Sequence, residues 1–342
     1  MNHEFNQSRS FGFISVSGYG STGSSAIVDF LAEHAGIYEF PGEFRLLQDP
    51  DGLLDLCVSI SSNWGWLQCD AYIRRFIAFT NILARRGGPF SFGEKYERIF
   101  AGRFLFERDR FLARIIDVKS PGYWPYHDYH DANPLQVFWE KCKRTLSRTG
   151  FSYHTIRRLT KRRDLFFVRH DVDIFAEARE FLFRLFEPLA NANSATFVLL
   201  DQGFLPYNRH IAYALLPDLK FIIVNRDPRD TYLDARSYNA YPITANPEDF
   251  ISFYDSSHGM EPQGNDEQAL FVQFESVVES YEMEAQRIRR YVGIDEQLHT
   301  APRTRLDPER SITNLRTYKA AVDSAAVTHI RAIEEGLAEW LY

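Results

Sequence analysis

The run Gly18-Tyr-Gly-Ser-Thr-Gly-Ser-Ser25 sets three glycines among the hydroxyls of Ser21, Thr22, Ser24 and Ser25. It follows the outline G-x-x-x-x-G-K-[ST] of a phosphate loop, with Ser24 where the lysine belongs. Glycines let backbone N–H groups converge on an anion, and a helix that starts there adds partial positive charge. Without the lysine an ATP-hydrolysing reading is weaker, because that side chain normally touches the outer phosphates. The alternative is a glycine-rich turn that binds nothing.

A second group lies in Lys220-Phe-Ile-Ile-Val-Asn-Arg-Asp-Pro-Arg-Asp230, where Arg226 and Arg229 follow an apolar run. Arginine in that position can hold a phosphate through two donors. Alternatively, Asp227 or Asp230 caps the next helix and pairs with the arginines. Two carboxylates can take a proton: Glu43, in Pro41-Gly-Glu-Phe-Arg45, and Asp201, after Leu199-Leu200. Glu43 reads equally well as a turn residue paired with Arg45. No metal site is expected. His127-Asp-Tyr-His-Asp131 has ligand residue types at a spacing that matches no established site, and Asp171-Val-Asp173 reads as a helix N-cap.

The elements that must position these groups alternate between strand and helix. Phe11–Ser17 mixes aromatic and β-branched residues and stops at the glycines, and Ser25–His34 carries Ile27, Phe30 and Leu31 on one helical face. Further strands are predicted at Ser194–Leu200, Lys220–Asn225 and Ala269–Phe274, and Gly36–Arg45 reads as a short strand running into a turn at Pro41-Gly42. Helices are predicted around Arg209–Leu216, Ser276–Val292 and Ala326–Leu341. Residues 50–190 read as a mostly helical insertion of amphipathic, aromatic-rich segments such as Asp70–Arg86 and Asp173–Leu189. Trp64, Trp66, Tyr123, Trp124 and Tyr126 in it read as core, although a sugar face can stack on such rings. This order predicts an α/β fold, a three-layer P-loop architecture with a central parallel sheet and a mostly helical insertion. Ligands then bind at the carboxyl ends of strands, just after Ser17, Ile37, Leu200 and Val224.

Composition bounds the partners. The 342 residues hold 39 Lys+Arg against 46 Asp+Glu, a formal charge of −7, with 45% hydrophobic residues. Those are globular proportions, and the acidity argues against a dedicated nucleic-acid binder. Cys57, Cys69 and Cys142 are widely spaced, which indicates neither a disulfide framework nor a zinc module. No run reaches the ~20 apolar residues of a membrane span, and a cytoplasmic location is the expectation.

Four segments in order resemble the sulfotransferase family of P-loop proteins, which use 3′-phosphoadenosine 5′-phosphosulfate (PAPS). Ser21–Ile27 resembles the family's 5′-phosphosulfate loop and Phe221–Asp230 its 3′-phosphate strand and turn. Ala269–Val278 is similar to a later strand with an acidic residue, followed by a helix ending at Tyr291-Val-Gly-Ile294. Asp307–Asn314 with Tyr318-Lys319 resembles the polar segment that closes over the nucleotide. The likeness covers about half the chain. It implies a single sulfotransferase-like domain over 1–342, with acceptor specificity in the insertion. It further implies that Gly20, Ser21, Thr22, Gly23, Ser24 and Ser25 hold the 5′-phosphosulfate, that Arg226 and position 234 face the 3′-phosphate, and that Arg316 and Lys319 belong to the closing segment.

Two positions depart from the family pattern: Ser21 replaces a basic residue common in the family, and Asp234 stands where a serine usually binds phosphate. Either Arg236, Arg303, Arg305, Arg316 and Lys319 compensate for Asp234, or the donor differs. Glu43 is the first choice of base, since a similar Gly-Glu occurs in tyrosylprotein sulfotransferases, and Asp201 is the second. Arg45 or Lys119 would supply the missing charge. The resulting expectation is sulfuryl transfer from PAPS to a hydroxyl of a glycan or small molecule, without metal. The alternatives are a P-loop kinase using ATP and Mg²⁺, and a non-catalytic nucleotide-binding protein of the same fold.

Overall fold

The computed structural model describes residues 10–85, 95–122, 124, 134–149, 163–238, 246–259, 268–321 and 323–342. The His127–Asp131 motif, Tyr123 and Tyr126 lie outside the described residues.

The sheet is built from β1 (Gly12–Gly18), β2 (Ile37–Glu43), β5 (Phe197–Asp201), β6 (Lys220–Asn225) and β7 (Ala269–Gln273). Its order is β2-β5-β1-β6-β7 and every pairing is parallel. Side chains alternate between faces along a strand, so the strands feed two cores. Phe13, Val198, Leu200, Phe221 and Ile223 enter one, and Ile14, Val16, Leu199, Ile222 and Val224 enter the other. Both faces are therefore covered, which explains why these strands read as near-continuous apolar runs.

On the second face lie α1 (Ser24–Ala32), through Ile27, Val28, Phe30 and Leu31, and two helices near the carboxyl end. The first face is covered by helices of the segment 50–190: α3 (Leu53–Ser62), α4 (Trp66–Arg85), α6 (Phe104–Ile115) and α8 (Ile174–Ala192). The short α2 (Arg45–Gln48) precedes them, and α5 (Tyr96–Ile99) and the longer α7 (Pro134–Arg148) run between them. The α8 rings Phe183 and Phe186 meet Phe13 at 5.1 and 5.5 Å, edge to face. The predicted insertion is thus a structural layer of the fold, continuous with its main core. Asp173 caps α8 by accepting the Ala176 N–H at 3.0 Å, as its position predicts.

The mostly helical segment also holds an antiparallel ribbon, β3 (Ile116–Gly122) with β4 (Arg163–Val168). β3 exposes most of its residues, so no apolar alternation announces it. The helix expected over Ser276–Val292 is two. After α9 (Arg209–Leu215), α10 (Pro228–Tyr238) and α11 (Pro247–Gly259) come α12 (Phe274–Glu279) and α13 (Tyr281–Val292), separated at Ser280, whose φ of −130° and ψ of 46° leave the helical region. α14 (Pro308–Ser311) and α15 (Ser324–Gly336) complete the chain's helices among the described residues.

The segment between α13 and α15 wraps back over the sheet, tied by two buried carboxylates. Glu33, at the end of α1, accepts from His299 Nε2 (2.7 Å) and from the backbone N–H groups of Arg303 (3.1 Å), Arg305 (2.7 Å) and Leu306 (3.0 Å). Burial opposes its charge, but these donors together hold the carboxyl below its ordinary range. Asp230 accepts from Arg316 N, Thr317 Oγ1 and Tyr318 N. Glu33→Ala leaves three backbone donors without an acceptor, and is expected to cost about 3–5 kcal/mol, read as a lower urea midpoint. Because the folded value is depressed, the stabilisation from Glu33 is present above the ordinary carboxylate pKa and lost as pH falls through the folded one, and the variant's deficit should shrink on acidification.

Candidate functional site

The carboxyl ends of β1, β2, β5 and β6 carry the glycine loop, Glu43, Asp201 and Arg226 respectively. All lie at one edge of the sheet, where parallel topology places ligands. The loop turns through left-handed backbone at Gly20 (φ 97°), Ser21 (φ 52°) and Gly23 (φ 81°), which gathers successive N–H groups toward one side. Gly18 is required for lack of room: a Cβ there would sit 1.9 Å from Thr22 Oγ1 and 3.1 Å from the Val224 carbonyl. At Gly23 a Cβ would meet the Phe274 ring at 2.7 Å.

Gly23 is the N-cap of α1 and offers no side-chain acceptor, and the first turn carries no acid. The first N–H groups of α1 therefore lack the capping side chain that most helices use. Thr22 is buried and its Oγ1 has no partner among the described residues. An uncapped helix start and an unsatisfied hydroxyl beside it suit a polyanionic ligand. The loop is braced on both flanks. Tyr19 stacks on His258 of α11 at 3.9 Å, and Gln202 spans the mouth, donating from Nε2 to Ser24 Oγ (2.9 Å) while Oε1 faces the Gly18 N–H at 3.5 Å. Nothing in the sequence flags Gln202, which is held at φ 47° just beyond the strand end.

Arg226 is buried and touches the loop directly. Its Nη1 donates to the Ser21 carbonyl (3.1 Å) and to Asp234 (3.2 Å), and its Nη2 to the Asn314 carbonyl (2.8 Å). Nε has no partner among the described residues, and the guanidinium lies over Phe274 at 5.2 Å. Arg226 thus joins the loop, α10 and the segment that carries Asn314. Asp234 is neutralised by Arg226 itself. The compensation expected from other basic residues is not what the structure contains: Arg305 pairs with Asp29 and Glu39, Arg303 with Glu282, and Arg316 with Glu279. Arg236 approaches His329, and Lys319 lies over Tyr318.

Arg229 takes the other reading of its motif. It forms a two-donor pair with Asp227, reaches Glu334 at 2.8 Å and covers Tyr318 at 3.8 Å. Glu275, the acid after β7, is buried and accepts the Asp227 N–H at 2.9 Å, fixing the turn that presents Arg226.

Glu43 and Asp201 are register partners on neighbouring strands, and the Phe44 N–H bonds the Asp201 carbonyl at 3.2 Å. Their environments differ. Glu43 is half-exposed and paired with Arg45, which also reaches Asp49 at 3.1 Å. Asp201 is largely enclosed, and its Oδ1 has no partner among the described residues. Burial above all, then the charges of Glu43, Glu39 and Asp29, pushes its pKa up to about 6. Lys119 lies on the ribbon, paired with Asp164 at 3.1 Å. No cluster of metal-ligating side chains occurs among the described residues, and no described helix is long and apolar enough to cross a membrane.

Fold and site together define an α/β protein with a glycine-rich loop at the carboxyl edge of a parallel sheet. No protein-family model matches the sequence, and no curated protein matches it. Solved structures with a similar chain path include the sulfotransferase domain from the curacin biosynthetic pathway, at 11% identity over 97% of this chain and 99% of that one (TM-score 0.42). The sulfotransferase domain from the Synechococcus PCC 7002 olefin synthase has 14% identity over 94% of each chain (TM-score 0.38). A sulfotransferase from Mycobacterium tuberculosis has 11% identity over 96% of this chain and 77% of that one (TM-score 0.40). At such values the functional reading rests on the site's own residues.

Proposed function

We propose that the protein is a sulfotransferase that moves a sulfuryl group from PAPS to an acceptor hydroxyl. The observation that carries this reading is the meeting, at one sheet edge, of an uncapped glycine loop, a buried arginine bonded to that loop and a largely enclosed carboxylate with a partnerless oxygen. Gly20 to Ser25 would take the 5′-phosphosulfate through backbone N–H groups and the hydroxyls of Thr22, Ser24 and Ser25. Arg226 would take the 3′-phosphate by exchanging Asp234 for it, with Arg316 and Lys319 in the closing segment nearby.

Transfer of this kind needs in-line placement and charge neutralisation more than covalent help from the protein. The acceptor oxygen forms the new S–O bond as the bond from sulfur to the bridging phosphate oxygen breaks, and adenosine 3′,5′-bisphosphate leaves with that electron pair. Asp201 takes the hydroxyl proton. Its partnerless Oδ1 and raised pKa suit it better than Glu43, whose charge is already answered by Arg45. Arg45, paired with Glu43 and next in the chain to Phe44, whose N–H bonds the Asp201 carbonyl, is the cation proposed to face the developing negative charge.

Calorimetric titration with adenosine 3′,5′-bisphosphate, with ATP plus Mg²⁺ in parallel, tests the donor. Micromolar or tighter bisphosphate binding without metal is expected. Binding of ATP with Mg²⁺ only would overturn the donor and leave a P-loop kinase. Bisphosphate binding with no sulfuryl transfer to any hydroxyl, insensitive to Asp201→Asn, would leave a nucleotide-binding protein.

A further inference from the structure

Helix α7 exposes large apolar side chains. Leu135, Phe138, Trp139 and Leu146 are 79%, 64%, 56% and 49% exposed. At 3.6 residues per turn these four fall, with half-buried Cys142 between them, within an arc of about 100°. An apolar stripe of this width normally faces a core, and here it faces outward. The same helix carries Lys141, Lys143, Arg144 and Arg148 against the single acid Glu140, in a chain whose formal charge is −7. The sequence stays basic beyond it: from Lys141 to Arg163 there are nine Lys and Arg and no acid.

Lys141 and Arg148 are exposed and lie outside the apolar arc, where their stems can reach along it while their heads stay in water. A stripe of Leu, Phe and Trp beside clustered cations is the pattern of a helix that lies flat in a membrane interface. At about 22 Å long and with this charge, α7 cannot span a bilayer. A soluble polyanion would answer the cations but leave Phe138 and Trp139 in water. A second copy packed symmetrically through α7 would set like charges against each other.

We propose that α7 docks the protein on an anionic lipid surface, with Leu135, Phe138, Trp139 and Leu146 entering the headgroup and acyl boundary and Lys141 and Arg148 contacting lipid phosphates and carboxylates. Docking is independent of the nucleotide site and requires no change in it.

The test is co-sedimentation of the full chain with phosphatidylcholine vesicles containing phosphatidylserine, against phosphatidylcholine alone. Binding to the anionic vesicles, weakened by salt, is expected. Lys141→Ala with Arg148→Ala should weaken it about 30-fold, since each cation near the surface is worth about 1 kcal/mol. Phe138→Ser with Trp139→Ser should weaken it about 100-fold, with unchanged far-UV circular dichroism and melting temperature showing that the fold is intact. Wild-type binding by both variants, or no binding to either vesicle, overturns the proposal. So does heparin binding without vesicle binding, or a lipid-free dimer that the Phe138 and Trp139 changes abolish.

Discussion

Arg226→Ala is expected to weaken adenosine 3′,5′-bisphosphate binding by about 100-fold or more, because at least two charge-assisted hydrogen bonds to phosphate are lost and each is worth about 1.5–3 kcal/mol. Arg226→Lys should recover little. One ammonium cannot reproduce a planar fork that serves Ser21, Asp234 and Asn314 from different nitrogens. The partner substitution runs in the opposite direction. Asp234 holds Nη1 and places a negative charge where a phosphate must come, so Asp234→Ser should tighten binding about tenfold by freeing the guanidinium. Calorimetric affinities of the three variants decide the matter. Equal affinity in Arg226→Ala and wild type would sink the assignment, and weaker binding in Asp234→Ser would show that Asp234 serves the ligand, for instance through a bound cation.

That pair also marks how far the sequence could be read. β1, β5 and β6 were legible because strands buried on both faces become short apolar runs ended by Gly, Asp-Gln-Gly or Asn-Arg-Asp-Pro, and their order placed the loop, Arg226 and Asp201 at one edge. What a side chain does there depends on three-dimensional neighbours that spacing does not reveal. Asp234 looked like a repulsion requiring rescue by distant basic residues. In the fold it lies on the second turn of α10, directly within reach of Arg226, while Arg303, Arg305 and Arg316 serve acids of their own. Within Asn225-Arg-Asp-Pro-Arg-Asp230 the two arginines part company, Arg226 turning to the loop and Arg229 pairing with Asp227. Gln202 was illegible because its role comes from a left-handed backbone angle at a residue other than glycine. The ribbon escaped notice because a strand with most of its side chains in solvent has no apolar period to display. The preference proposed for Asp201 has a related origin. The sequence puts Glu43 first through its Gly-Glu likeness, whereas the greater burial of Asp201, which the sequence does not display, is what favours it as the base.

Asp201→Asn is expected to lower kcat for sulfuryl transfer by about 10²–10⁴, the usual contribution of a positioned base. The signature of the wild type is the pH profile. Asp201 must be ionised to accept a proton, so kcat/KM should rise with pH and level off above about 6, where burial and the charges of Glu43, Glu39 and Asp29 have placed its pKa. In the asparagine variant that limb should vanish. Glu43→Gln should keep activity within about tenfold and move the limb to lower pH, because removing a neighbouring negative charge makes Asp201 easier to ionise. Stability should move the other way from activity. The folded pKa of Asp201 lies above its ordinary value of 3.8, so the folded state holds the proton more tightly than the unfolded one. Stability from Asp201 is then full below about 4 and lost as pH rises through about 6. At neutral pH the enclosed charge is a net cost, and Asp201→Asn should raise stability by about 1–2 kcal/mol, allowing for its partial contact with water. A variant both more stable and nearly inactive is what a strained general base predicts. If Asp201→Asn instead kept full turnover and Glu43→Gln lost it, the proton would pass to Glu43, and the raised pKa of Asp201 would be the consequence of enclosing one carboxylate beside another.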